Sequence, residues 1–163
     1  REIVDELNQA KKRIQLIALL DTLEYLKKGG RISKTAALAG SVLSIKPVIG
    51  IVDGEVAMLG KARGSKQGNN LLAEQIRRAG GIDFEKPFFL GYTGLSDALM
   101  QKYIKDSEAL WIEHMGCVPA DCASGGGDPA DDCARSLPIA TVGGTIGTHV
   151  GPGGIAIAFF APA

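Results

Sequence analysis

KPVIGIVDGEVAMLGKARG, residues 46 to 64, is two apolar runs separated by Asp53-Gly54. Asp-Gly between such runs is a strong hairpin signal, because the favoured two-residue turn needs positive φ at both central positions. A hairpin here commits the chain to a sheet with at least one antiparallel pair. Outward from it, helix and strand patterns alternate. On the N-terminal side, residues 1 to 12 read as a helix with Ile3, Val4 and Leu7 on one face, and IQLIALL at 14 to 20 reads as a strand buried on both faces. TLEYLKK at 22 to 28 is a helical turn or two, stopped by Gly29 and Gly30 as a left-handed cap would stop it. Ser33 then caps a helix through KTAALAGSVLSI, which Pro47 ends.

On the C-terminal side, Ser65 is expected to cap a helix from 66 to 79, with Leu71, Leu72 and Ile76 inward and Arg77 and Arg78 at the end that the helix dipole favours. PFFLGYTG at 87 to 94 reads as a strand, SDALMQKYIKD as a helix, ALWIEHM as a further strand and IAIAFF at 155 to 160 as the last strand. The fold expected is α/β, an α+β two-layer packing of a mixed sheet with helices. Residues 116 to 136, rich in Gly, Ala and Asp, carry no apolar period and read as a surface excursion within one domain spanning 1 to 163.

GGTIGTHVGPGG at 143 to 154 holds six glycines, two threonines and one of the chain's two histidines. Glycine at this density belongs where backbone turns sharply or approaches something closely. The stretch reads as a loop at the carboxyl end of the strand LPIAT, the end at which α/β folds place ligands. Between Gly147 and Gly151 it offers Thr148 and His149. A carboxylate can accept from the threonine hydroxyl and from an imidazole N–H, and the charge on the acceptor strengthens both bonds.

Charge is balanced at 18 basic and 18 acidic residues but unevenly spread. Residues 27 to 78 carry ten basic and three acidic groups, and residues 81 to 135 carry four basic and ten acidic. The first block suits an acidic partner or a phosphate. Nucleic acid is the poorer fit, because no aromatics interleave the basic residues. No apolar run approaches the roughly 20 residues of a membrane span, and no signal peptide is visible. Three cysteines, Cys117, Cys122 and Cys133, argue against a disulfide framework and for a reducing, cytoplasmic setting.

Other chemistries are weakly supported. His114 with the three cysteines lacks the paired spacing of structural zinc. Asp128, Asp131 and Asp132 lack a calcium-loop pattern. Gly151, Gly153 and Ala156 match a dinucleotide fingerprint only loosely, since a strand pattern follows them where a helix is required. GKARGSK at 60 to 66 lacks the Walker spacing. Nothing places a nucleophile beside a base. No metal or cofactor is expected, and a binding protein is favoured over an enzyme.

LDTLEYLKKGGRISKTAALAGSVLSIKPVIGIVDGEV at 20 to 56, read with GTHVGPG, resembles the DegV family. The resemblance covers nearly the whole chain and is weak across 116 to 136. It implies a protein that binds a long-chain fatty acid and carries it for a bacterial fatty acid kinase in phospholipid metabolism. It implies that the chain, which opens without Met inside a helical pattern, is the second of two domains. By this resemblance His149, with Thr148, Gly147 and Gly151, meets the fatty-acid headgroup. The tail lies in an apolar slot, for which Leu38, Val42, Leu43, Ile45, Val48, Ile49, Ile155 and Phe159 are candidates, although each serves equally well as plain core. Arg31 is expected at the ligand entrance, and Lys61 and Arg63 at a kinase-docking face. The competing expectation is a small-molecule kinase-related enzyme domain, because the DegV fold is related to dihydroxyacetone kinase domains.

Overall fold

The computed structural model describes residues 1–32, 45–115 and 137–163. In chain order the elements are α1 (Glu2–Ala10, extended by a 3-10 turn over Lys11–Arg13), β1 (Ile14–Leu19), α2 (Glu24–Lys28), β2 (Ile45–Val52), β3 (Glu55–Arg63), α3 (Gly64–Arg78), β4 (Phe89–Tyr92), α4 (Ala98–Asp106), α5 (Glu108–Met115), β5 (Ile139–Thr141), α6 (Gly144–Val150) and β6 (Ile155–Phe160). The six strands form one mixed sheet in the order β3-β2-β1-β6-β4-β5. Every neighbouring pair is antiparallel except β4–β5.

The hairpin forms as the dipeptide demands. Asp53 and Gly54 adopt φ of 52° and 82°, and Val52 pairs with Glu55 across the turn. Period-two alternation then decides what each face of the sheet carries. On β6, Ile155, Ile157 and Phe159 are 3%, 0% and 1% exposed and pack with Ile17 and Leu19 of β1 and Val48 of β2. That face is covered by Leu72 and Ile76 of α3, Met100, Tyr103 and Ile104 of α4, and Leu110 and Trp111 of α5. Asn69 of α3 donates from Nδ2 to Asp106 Oδ2 of α4 at 2.7 Å, tying the two helices. The opposite face presents Ala18, Leu20, Ile49 and Ala156, and meets Leu23, Leu26 and Ile32 around α2 and Val150 of α6. Because α2 and α6 are short, the described residues cover this second face only in part.

Three local expectations are corrected. ALWIEHM is helix α5, not a strand. An apolar run of this length has no period that separates the two states, and the i to i+4 bond from Trp111 Nε1 to Ser107 Oγ, 2.9 Å, favours the helix. Ser65 is not a cap, because α3 already starts at Gly64 with Arg63 at the N-cap position. Gln67 Oε1 accepts from the Arg63 N–H at 3.2 Å, reaching back to the N-cap from four residues on. GTHVGPG is not all loop: Gly144–Val150 is helical and Gly151, at φ 78°, ends it. Glycine at the position after a helix is a common stop, and the glycines around it hide the turn of helix that it closes.

Gly30 supplies the left-handed cap of α2 at φ 67°, whereas Gly29 stays right-handed at φ −77°. Arg31 N–H reaches Leu26 O at 2.9 Å and Gly30 N–H reaches Lys27 O at 3.2 Å, the paired bonds of a Schellman motif. The expected face of α1 exists, but Ile3, Val4 and Leu7 are exposed. β1 is buried only from Ile17 onward. The helix expected after Ser33 falls on 33–44, outside the described residues, as does the expected excursion at 116–136 with Cys117, Cys122 and Cys133.

Candidate functional site

The two glycine-rich motifs meet on this second face of the sheet, where α2 packs against α6. The contact is reciprocal. A Cβ added at Gly29 would overlap Nδ1 of His149 and lie 2.8 Å from its Cε1. A Cβ added at Gly151 would overlap Cδ2 of Tyr25 and lie 2.5 Å from Cε2. Each motif therefore gives up a side chain so that a ring of the other can lie on its backbone. His149 is half-buried in this packing. Its Nδ1 is shielded from solvent and has no hydrogen-bond partner among the described residues. Buried polar atoms are nearly always paired, so such an atom calls for a functional account.

A second clasp holds the turn after α6. Thr93, buried just beyond β4, donates from Oγ1 to Gly151 O at 2.6 Å and accepts from Gly154 N–H at 2.8 Å. Its backbone adds two bonds, N–H to Gly154 O at 2.9 Å and O from Gly153 N–H at 3.0 Å.

Beside His149 lies an apolar cavity of about 560 Å³. Its floor is the sheet, and cross-strand register explains its depth. Ala18, Ala156 and Gly91 are neighbours in one row of β1, β6 and β4, and Leu16, Ala158 and Phe89 form the next. Residues with little or no side chain in the middle of a sheet leave room above it. The walls are Leu26 of α2, Ile146 and Val150 of α6, and Ile49, Ile51 and Val56 of the hairpin. Among the described residues, Arg31, Thr93, Thr141 and His149 are the side chains with polar groups in the lining. Along one side the lining residues Leu16, Phe89, Ile51 and Ile146 are 37%, 39%, 43% and 61% exposed.

Of the residues singled out in the sequence, His149, Arg31 and Ile49 line the cavity together. Arg31 is exposed at the rim, and its Nη1 donates to Gly29 O at 2.9 Å. Gly151 ends α6, and its N–H donates to Gly147 O at 2.8 Å. Thr148 is exposed and outside the lining, with Oγ1 donating to Gly144 O at 2.7 Å. Among the tail candidates, Ile155 also contributes to the lining, while Val48 and Phe159 belong to the core on the helical face. Leu38, Val42 and Leu43 lie outside the described residues. Lys61 and Arg63 are exposed on β3, the edge strand, away from the cavity. The residues that sequence reasoning missed are Gly29, Thr93, Gly91, Ala18, Ala156 and Ala158. The signal for the last two was the alternation in IAIAFF, large on one face and small on the other.

A family model described as "Uncharacterised protein, DegV family" matches residues 1–123. A DegV domain-containing protein of Clostridium perfringens is 32% identical over 126 residues, covering 72% of this chain and 42% of that protein. One from Clostridium acetobutylicum is 29% identical over 157 residues, covering 91% and 44%. The solved structure of the Streptococcus pneumoniae fatty acid kinase B3 protein loaded with linoleic acid superimposes with a TM-score of 0.72 at 18% identity, over 99% of this chain and 49% of that one. A DegV family protein of Eubacterium eligens loaded with heptadecanoic acid gives 0.69 at 21%, over 99% and 50%. At such identities the likeness carries the fold. The chain spans about half the length of these relatives or less.

Proposed function

The chain belongs to the DegV family, and on that premise we propose that it binds a long-chain fatty acid and presents it to a partner kinase. The observation that supports this reading is the apolar cavity with His149 in its lining, whose Nδ1, packed on Gly29, has no hydrogen-bond partner among the described residues. A cavity of about 560 Å³ lies in the usual range for small-molecule sites. The tail runs over the floor of Ala18, Ala156, Ala158 and Gly91, against Ile49. Burial of about 0.8 kcal/mol per CH₂ makes the tail the dominant source of affinity. The carboxylate lies at His149, with Arg31 at the rim, and fixes orientation. Thr148, Gly147 and Gly151 serve by shaping the short helix that carries the imidazole. This chain holds the acid, a cytoplasmic kinase phosphorylates the carboxylate with ATP, and the chain itself performs no chemistry.

The test is native mass spectrometry of the delipidated full-length protein titrated with palmitate and oleate. A one-to-one adduct is expected, and no adduct with either acid would refute the proposal. In the same titration His149→Ala is expected to weaken the acid by on the order of 1–3 kcal/mol, the cost of removing a partner from a charged group. Methyl palmitate should be affected far less. Equal weakening of acid and ester would remove His149 from the headgroup.

For the partner, the basic block at 27 to 78 is the docking face, with Lys61 and Arg63 on the exposed edge strand. Charges of this kind set encounter rate and its salt sensitivity. Arg63→Glu is expected to slow phosphorylation by the kinase and flatten its salt dependence, with palmitate affinity within about twofold of the original, under roughly 0.5 kcal/mol. Normal turnover with impaired palmitate binding would place Arg63 in the ligand site instead.

A further inference from the structure

We propose that Thr93 is a positioning residue for the acid end of the ligand, acting on His149 through the turn that ends α6; this rests on the headgroup reading above. The Thr93 hydroxyl has one proton and gives it to Gly151 O at 2.6 Å. Its oxygen receives the Gly154 N–H at 2.8 Å. Both roles of the hydroxyl are thus spent on the turn. Gly151 is held from two further sides, by its own N–H on Gly147 O at 2.8 Å and by the Tyr25 ring over its α-carbon. His149 is two residues before Gly151, in the last turn of α6, with its ring on Gly29. A shift of Gly151 is passed directly to that turn. The Gly151 carbonyl is held in place by Thr93 Oγ1, so the hydroxyl just beyond β4 sets where the imidazole of α6 stands. Preorganisation of this kind matters because a charge-assisted bond fades steeply with misalignment.

The backbone bonds of Thr93 to Gly153 and Gly154 do not need the hydroxyl. Valine has the same branched shape and keeps those bonds while losing the clasp. Serine keeps the clasp and loses a methyl group. The experiment uses the full-length, delipidated protein with palmitate and methyl palmitate as probes. Thr93→Val is expected to reduce the preference for acid over ester at least tenfold. Thr93→Ser is expected to retain the preference. A Thr93→Val protein that keeps its preference, or that loses acid and ester alike, overturns the proposal.

A second readout does not depend on lipid. The imidazole resonances of His149, assigned by their loss in His149→Ala, are expected as a single sharp set in the original and in Thr93→Ser, and broadened or doubled in Thr93→Val. Unchanged resonances in Thr93→Val overturn the positioning role. An original protein with no preference for acid over ester refutes the headgroup reading instead, and the resonances then decide Thr93 alone.

Discussion

Ala156→Phe is expected to abolish fatty-acid binding while leaving the protein folded. Ala156 stands mid-strand on β6 between Ala18 of β1 and Gly91 of β4, in the floor of the cavity. A phenyl ring there enters the cavity at the edge of the Leu26–Ile49–Val150 cluster, so most of the usual overpacking cost is avoided. It does occupy the path of the tail. Displacing roughly four methylenes at about 0.8 kcal/mol each removes about 3 kcal/mol, a loss in affinity of more than 100-fold. Calorimetric titration with palmitate and thermal unfolding of the same sample measure the two halves of this statement. Retention of affinity within threefold would mean that the tail does not cross Ala156. The matching change on the other parity, Ile157→Ala, should destabilise the fold by about 2–5 kcal/mol, because Ile157 is fully buried in the helix-facing core.

Trp111→Ala carries the largest stability effect. Trp111, the sole tryptophan, is fully buried, with Phe84 and Tyr103 edge-on at 6.4 and 6.1 Å between centroids. Its Nε1 donates to Ser107 Oγ, which itself donates to Tyr103 O at 2.7 Å. Truncation opens a cavity and strips the hydroxyl of a partner, which together cost about 3–5 kcal/mol. Since whole domains are stable by only about 5–15 kcal/mol, the midpoint of urea unfolding, followed by circular dichroism, should fall sharply. A loss below about 1 kcal/mol would mean that α5 is not part of the cooperative core.

How much was legible in the sequence follows from which forces act locally. The hairpin at Asp53-Gly54 and the stop after Lys28 were readable because a turn is specified by the few residues that make it. His149 and Arg31 were readable as neighbours only through the family resemblance. No spacing rule connects residues 118 positions apart, and they share a cavity because α2 and α6 pack together. ALWIEHM was misread because a short apolar run fits a buried strand as well as a buried helix, and the deciding bond, Trp111 to Ser107, reaches a residue two positions before that run. Ile49 and Ile155 of the tail candidates line the cavity, while its floor is made of small side chains that a search for large apolar residues passes over. Val48 and Phe159 went to the solid core, and the floor fell to alanines and a glycine.

Every part of the site lies where β1 and β6 bring distant segments together. Gln15 faces Phe159 and Leu19 faces Ile155 in the β1–β6 ladder. Closing so long a loop comes at a high contact order, which slows folding. The imidazole cannot settle on Gly29 until that closure is complete. During synthesis β1 can pair with β2 early, but its other edge waits, unpaired, until residues 155 to 160 have left the ribosome. A chain stalled before that point lacks β6 and with it part of the cavity floor, so the lipid capture proposed above would report on completed folding.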